Sequence, residues 1–199
     1  MVSLGGSEGE GRRKAKADKF GVGLMDKLSW PPYKWEVFGP PWVFFREAVI
    51  CYVNGQFMAF SLMTRAAIET AIYLAISIDI YANETDMKKI NLDYTNERDW
   101  SKILHEAEKR GYLTKKDIVN INFIRNYGNI VAHWGQKVHF EIRNKQHNTN
   151  KQRIRPDSIF TFASTTQGLN LSKFIISETK ATTIMRKGVN VLESLADRI

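Results

Sequence analysis

Between Gln56 and Tyr81 the sequence reads QFMAFSLMTRAAIETAIYLAISIDIY. Wound as a helix, this stretch is apolar on nearly every face, so it belongs at the buried centre of a bundle and not on a surface. That requirement sets the expected fold class as all-α, an up-and-down bundle of four to five helices. Asn54, Gln56, Arg65, Glu69 and Asp79 interrupt the apolar character here and in the preceding Ala48–Met63 stretch. Neither segment offers the long uncharged run of a membrane span. A cytoplasmic protein without a membrane partner is therefore the expectation. Arg65 and Glu69 lie four residues apart, share one helix face and can pair. An ion pair in such apolar surroundings must be well hydrogen-bonded to offset its desolvation, so a structural, orienting role is expected for it.

The other helices follow from local signals. Pro40-Pro41 suits a first helical turn, and Asn54-Gly55 suits a stop, which predicts a helix over 40–54. A third helix is expected from Glu97 to Arg110, with Trp100, Ile103, Leu104 and Ala107 on one side and Gly111 ending it. Thr114, with Asp117 three residues on, has the form of a capping box that opens a fourth helix reaching Trp134-Gly135. A last helix follows Ser177, with Ala181, Ile184, Met185, Val189, Leu192 and Leu195 at helical spacing. Between these two, Val138–Ile142 alternates like a short strand and could form a β-hairpin with Ile159–Ala163.

The sequence divides into residues 1–19, expected as a flexible basic tail rich in glycine and charge, residues 20–39, an irregular aromatic arm around Pro31-Pro32, and residues 40–199, the helical domain. A length of 199 residues suits one such domain. Twenty-nine Lys and Arg against 21 Asp and Glu give a net charge of +8, which makes a polyanion a reasonable partner. Cys51 is the single cysteine and sits in an apolar stretch, as a small core residue would. No Cys/His spacing suggests a metal site, no glycine loop suggests a cofactor, and no apolar segment follows the N-terminal charges as in a secretory signal.

The fourth helix carries the informative pattern. At 100° per residue, Asn122, Arg125, Asn126, Asn129 and His133 fall on one face, opposite Phe123, Ile124, Tyr127, Ile130, Val131 and Trp134. Asparagine is a poor helix former, and exposed helix faces usually carry Glu and Lys. Two readings are open. The stripe either hydrogen-bonds to a neighbouring helix or across a dimer interface, or it lines a cleft where Arg125 and His133 meet a phosphate. Arg65–Glu69 and the amides and imidazole of the stripe could complete one polar network.

Phe60–Glu69 contains R-A-x-x-E, and Ile124–His133 reads I-R-x-x-G-N-x-x-A-H. With Gly111-Tyr112-Leu113 as the lead-in turn, these motifs resemble an uncharacterised prokaryotic branch of the HEPN superfamily (higher eukaryotes and prokaryotes nucleotide-binding) across about residues 40–199. The resemblance implies a homodimer acting on RNA, in many members as a metal-independent endoribonuclease of toxin–antitoxin or antiviral defence, with an antitoxin protein as a further partner. It gives His133 the role of general acid or base and Arg125 that of stabilising phosphate charge. Asn126 and Asn129 would position the phosphate or the imidazole, with Arg65 and Glu69 in support. The pattern departs from the nuclease signature at Gly128, where the usual motif has arginine before the polar residue.

Beyond the motif, Lys137, Arg143, Lys145, Lys151, Arg153 and Arg155 form a basic stretch that could gather RNA by its phosphates or stay solvated. His105, His139 and His147 read as ordinary surface residues. The expectation from sequence is thus a HEPN-type RNA-acting protein, whose enzymatic activity the sequence leaves open. The alternative is a non-catalytic helical module for dimerisation or partner docking, its polar stripe serving as structural glue.

Overall fold

The structure, a computed structural model, describes residues 6–20, 32–83, 99–133 and 175–199, with the backbone alone for residues 6–7, 32–38 and 80–83. Among the described residues there are six helices and no strand: α1 (Gly6–Lys19), α2 (Pro32–Val53), α3 (Phe57–Asn83), α4 (Trp100–Lys109), α5 (Lys115–Ala132) and α6 (Glu178–Ala196). The fold is an all-α helical bundle. The alternating segment Val138–Ile142 and its proposed partner Ile159–Ala163 lie outside the described residues, as does the whole basic stretch from Lys137 to Arg155.

α3 is the centre. Ala67, Ile68, Ala71, Ile72, Ala75 and Ile76 are all buried. Their spacing lays a small-residue stripe beside a branched one, so neighbouring helices approach the first and pack against the second. By length and composition Phe57–Asp79 would suffice to cross a membrane, despite its charges; here half of its most apolar window is buried within the bundle.

α2 and α3 are joined by a tight turn built on Gly55, whose φ of 77° is available to glycine at little cost. Gln56 donates to the Cys51 carbonyl and Gly55 to that of Tyr52, the double bond of a Schellman stop. Gly111 (φ 83°) ends α4 in the same way, with Tyr112 bonded to Ala107 and Gly111 to Glu108. The Thr114–Asp117 capping box is present at the start of α5, and Ser177 caps α6.

Side-chain pairings set the topology. Arg65 reaches Asn129 and Glu69 reaches Arg125, so α3 and α5 run antiparallel. Asp117 meets Ser194 while Asn120 meets Lys187, so α5 and α6 do too. Tyr52 bonds Thr182, and a Cβ on Gly188 would touch the Phe45 ring, which closes the ring of helices between α2 and α6. α4 packs on the side of α3 and brings Trp100 against Tyr73.

Two expectations need correction. Residues 6–19, expected as part of a flexible tail, form a helix. α1 is held by Arg13 Nε, which donates to the Val53 carbonyl at the end of α2 (2.6 Å), and by Arg12 and Lys16 on Glu178 (2.8 and 2.6 Å), with Ala17 buried beneath. Its attachment comes from cations on a helix C-terminus and a carboxylate, which an account of apolar surface alone overlooks. Second, α2 starts at Pro32, not Pro40, so the expected irregular arm is helical over 32–39. Pro32 takes the first-turn position. The interior prolines leave the Glu36 and Val37 carbonyls without their amide donors, and Pro41 and Trp42 are buried.

Candidate functional site

α5 presents four different longitudinal strips, and its sequence decides each. The inner strip (Asp117, Asn120, Ile121, Ile124 and Gly128) is buried. Gly128 is there because of Arg65: a Cβ on residue 128 would lie 2.5 Å from Arg65 Cδ and 2.9 Å from Arg65 Cβ. The arginine side chain of α3 thus lies across the backbone of α5, in space that only glycine leaves open.

The strip facing α3 and α4 holds the predicted polar network. Glu69 Oε1 accepts from Arg65 Nε and from Arg125 Nε, both at 2.8 Å. Arg65 Nη1 donates to Asn129 Oδ1 at 2.6 Å. The Arg125 guanidinium also stacks over the Trp100 ring, 4.4 Å from its centroid, a cation–π contact that holds the plane of the group. Arg65, Glu69, Arg125 and Asn129 are brought together, and all three charged side chains are about one-fifth exposed. Two guanidiniums share one carboxylate, so the cluster keeps a net positive charge. Among the described residues, Nη1 and Nη2 of Arg125 have no hydrogen-bond partner, and these donors are the ones a phosphate could use.

The outer strip faces solvent. Asn122, Asn126 and His133 are exposed, in line with Lys115 and Val119. His133 is the C-cap residue of α5, with φ −111° and ψ 22°, and among the described residues only its backbone amide is bonded, to the carbonyls of Asn129 and Val131. The stripe read from sequence as one face is therefore split: Arg125 and Asn129 turn inward to α3, and Asn126 and His133 stay outside. The imidazole does not join the Arg65–Glu69 network. α5 contains one acidic residue, Asp117, and it is buried, so the exposed face of this helix is free of carboxylates.

The strip facing α6 was not singled out by sequence. Phe123 and Tyr127 have ring centroids 5.0 Å apart. Lys187 Nζ lies 5.0 Å from the Phe123 centroid and Lys180 Nζ 5.6 Å from that of Tyr127. Lys187 also donates to Asn120 Oδ1 at 2.6 Å. The phenylalanine and tyrosine were assigned to the packing face, which they do join; their spacing against Lys180 and Lys187 was a signal only once α5 and α6 were known to be antiparallel.

At the far end of α5, Asp117 Oδ2 accepts from the Thr114 amide and hydroxyl, from Ser194 Oγ and from Arg198 Nη1. Burial pushes its pKa up, but these donors outweigh it and hold the carboxyl below its ordinary value. This clamp is structural and lies at the opposite end of the helix from His133. No group of three or more His, Cys, Asp or Glu that could hold a metal occurs among the described residues. His105 is exposed on α4. Comparison with family models, with curated proteins and with solved structures finds no match to this chain.

Proposed function

We propose that the chain is a HEPN-type protein that acts on RNA, gripping the phosphate backbone along the exposed face of α5. The observation that carries this reading is the shared carboxylate: two arginines that pair, among the described residues, with Glu69 alone leave positive charge beside an acid-free, asparagine-rich helix face. Arg125 supplies charge-assisted donors to a phosphate. Asn126 and Asn122 supply neutral donors and acceptors, and His133 is, among the described residues of this face, the group suited to general acid–base work on a ribose hydroxyl. Arg125 and His133 are eight residues apart, about 12 Å along the helix axis. Joint action on one phosphate therefore calls for the long arginine side chain to reach along the helix, or for the stripe of a second copy to face the first in a homodimer. The +8 net charge and the basic stretch from Lys137 to Arg155 suit the same polyanion. A toxin or antiviral-defence setting, with an antitoxin protein as partner, follows from the motif resemblance.

A second reading has a specific observation in its favour. Gly128 seated under Arg65, and Glu69 bridging two helices, are features of a structural keystone. Under that reading the domain is a non-catalytic dimerisation or docking module. Incubation with RNA in EDTA separates the two, comparing wild type with His133→Ala. Cyclic-phosphate ends that disappear in the variant, whose thermal midpoint stays that of wild type, establish metal-independent cleavage. Intact RNA that is nonetheless bound, and released by Asn126→Ala, supports binding without cleavage. Neither cleavage nor binding leaves the keystone reading.

A further inference from the structure

The seam between α5 and α6 carries charge that the Arg65–Glu69–Arg125–Asn129 network does not use. Lys180 and Lys187 stand on α6 seven residues apart, about 10 Å along the helix. Each ammonium rests near an aromatic ring of α5, Lys180 on Tyr127 and Lys187 on Phe123. An exposed lysine ordinarily sweeps a wide volume and loses much rotamer entropy when it is fixed by a ligand. Here the rings, themselves packed against the core, already attract the two ammonium groups to the seam. Lys187 is further fixed by Asn120 Oδ1, which takes one of its three N–H donors and leaves two. No carboxylate is paired with either lysine among the described residues; the acid nearest to Lys180 in sequence, Glu178, is occupied by Arg12 and Lys16.

We infer that the Lys180–Tyr127 and Lys187–Phe123 pairs form a preorganised phosphate rail, so that a polynucleotide lies along α5 between this rail and Arg125 on the other flank. The inference rests on the proposed RNA reading and adds a second line of backbone contacts to it. A separation of about 10 Å along the helix exceeds the distance between neighbouring phosphates of a single strand, so the two cations contact separate phosphates of one strand. The rings act as supports for the ammonium groups and are positioning residues; base recognition is not assigned to them. A polynucleotide fits better than an anionic membrane surface. A membrane-binding helix needs an apolar face turned outward, and the apolar face of α5 is buried while its outward face carries Asn122, Asn126 and His133.

The test is titration of a labelled single-stranded oligoribonucleotide, long enough to span α5, over a range of salt concentrations. The variants are Lys180→Gln/Lys187→Gln, the charge-keeping Lys180→Arg/Lys187→Arg, Lys180→Gln alone, and Asn126→Ala. The double glutamine variant is expected to bind about ten-fold more weakly, with the slope of log K against log salt reduced by about 1.4, the loss of two phosphate contacts. The arginine pair should restore both. Lys180 makes no side-chain hydrogen bond among the described residues, so Lys180→Gln leaves the fold intact and should remove half of the slope change. RNA binding that weakens in Asn126→Ala but keeps its slope in both glutamine variants overturns the rail and leaves the RNA reading standing. Wild type that ignores RNA, or that binds anionic phospholipid vesicles instead, overturns both.

Discussion

Gly128 decides how closely α3 and α5 approach. Alanine there would gain about 1 kcal/mol of helix propensity over glycine. Its methyl, however, would stand 2.5 Å from Arg65 Cδ and 2.9 Å from Arg65 Cβ, so the arginine must leave its place and its bonds to Glu69 and Asn129. Overpacking of this kind costs about 1–3 kcal/mol, and the broken network adds to that. Gly128→Ala is therefore expected to lower stability in chemical denaturation by about 2 kcal/mol despite its better propensity. Glu69→Gln leaves two guanidiniums facing one neutral amide. Its cost should fall between that of an exposed pair and a buried one, about 2–3 kcal/mol, measured the same way. His133→Ala and Asn126→Ala touch exposed side chains and should stay within about 0.5 kcal/mol of wild type. The sequence made the pairing of Arg65 with Glu69 legible, because i,i+4 spacing is a local rule. It left open which stripe residues turn inward. Asn129 and Asn126 differ by a rotation that only the position of α3 can resolve.

Among the elements, α5 is fastened hardest at its start. Asp117 combines the capping box of its own helix with Ser194 and Arg198 from the end of α6. Its pKa is lowered in the folded chain, so this contribution is fully present above the ordinary aspartate value of about 4. It is lost as pH falls from there through the folded value. Acid unfolding of wild type should accordingly steepen below about pH 4, and Asp117→Asn should flatten that limb while lowering stability at neutral pH, as read by circular dichroism across pH. The α5 cap was legible from Thr114 and Asp117 alone; its second half was not, since Ser194 and Arg198 lie about 80 residues away. α1 was misread for a related reason. Its hold on the bundle is three cations placed on Val53 and Glu178, long-range contacts that composition does not announce. Exposed ion pairs weaken with salt, so amide hydrogen exchange over residues 6–19 should accelerate in high salt, or in Glu178→Gln, before any other helix changes.

At the scale of the whole molecule, α3 explains both why the bundle forms and why its polar site exists. A helix buried on most faces has no room for a lone charge, so Arg65 and Glu69 must be answered from a neighbour, and α5 answers with Arg125 and Asn129. The bundle class was readable from that apolar run, and the helix stops from Gly55 and Gly111. The result of the packing is that one helix, α5, has its only acid buried and its exposed face flanked by Arg125 on one side and by Lys180 and Lys187 on the other. The proposed RNA contact rests on that charge arrangement. It is tested most directly by placing a carboxylate on the acid-free face, Asn126→Glu, and titrating wild type and variant with labelled single-stranded RNA in EDTA at one fixed salt concentration. About a ten-fold or greater loss of affinity is expected, with an unchanged thermal midpoint. Equal affinity of the two proteins, or no RNA binding by wild type, would contradict it.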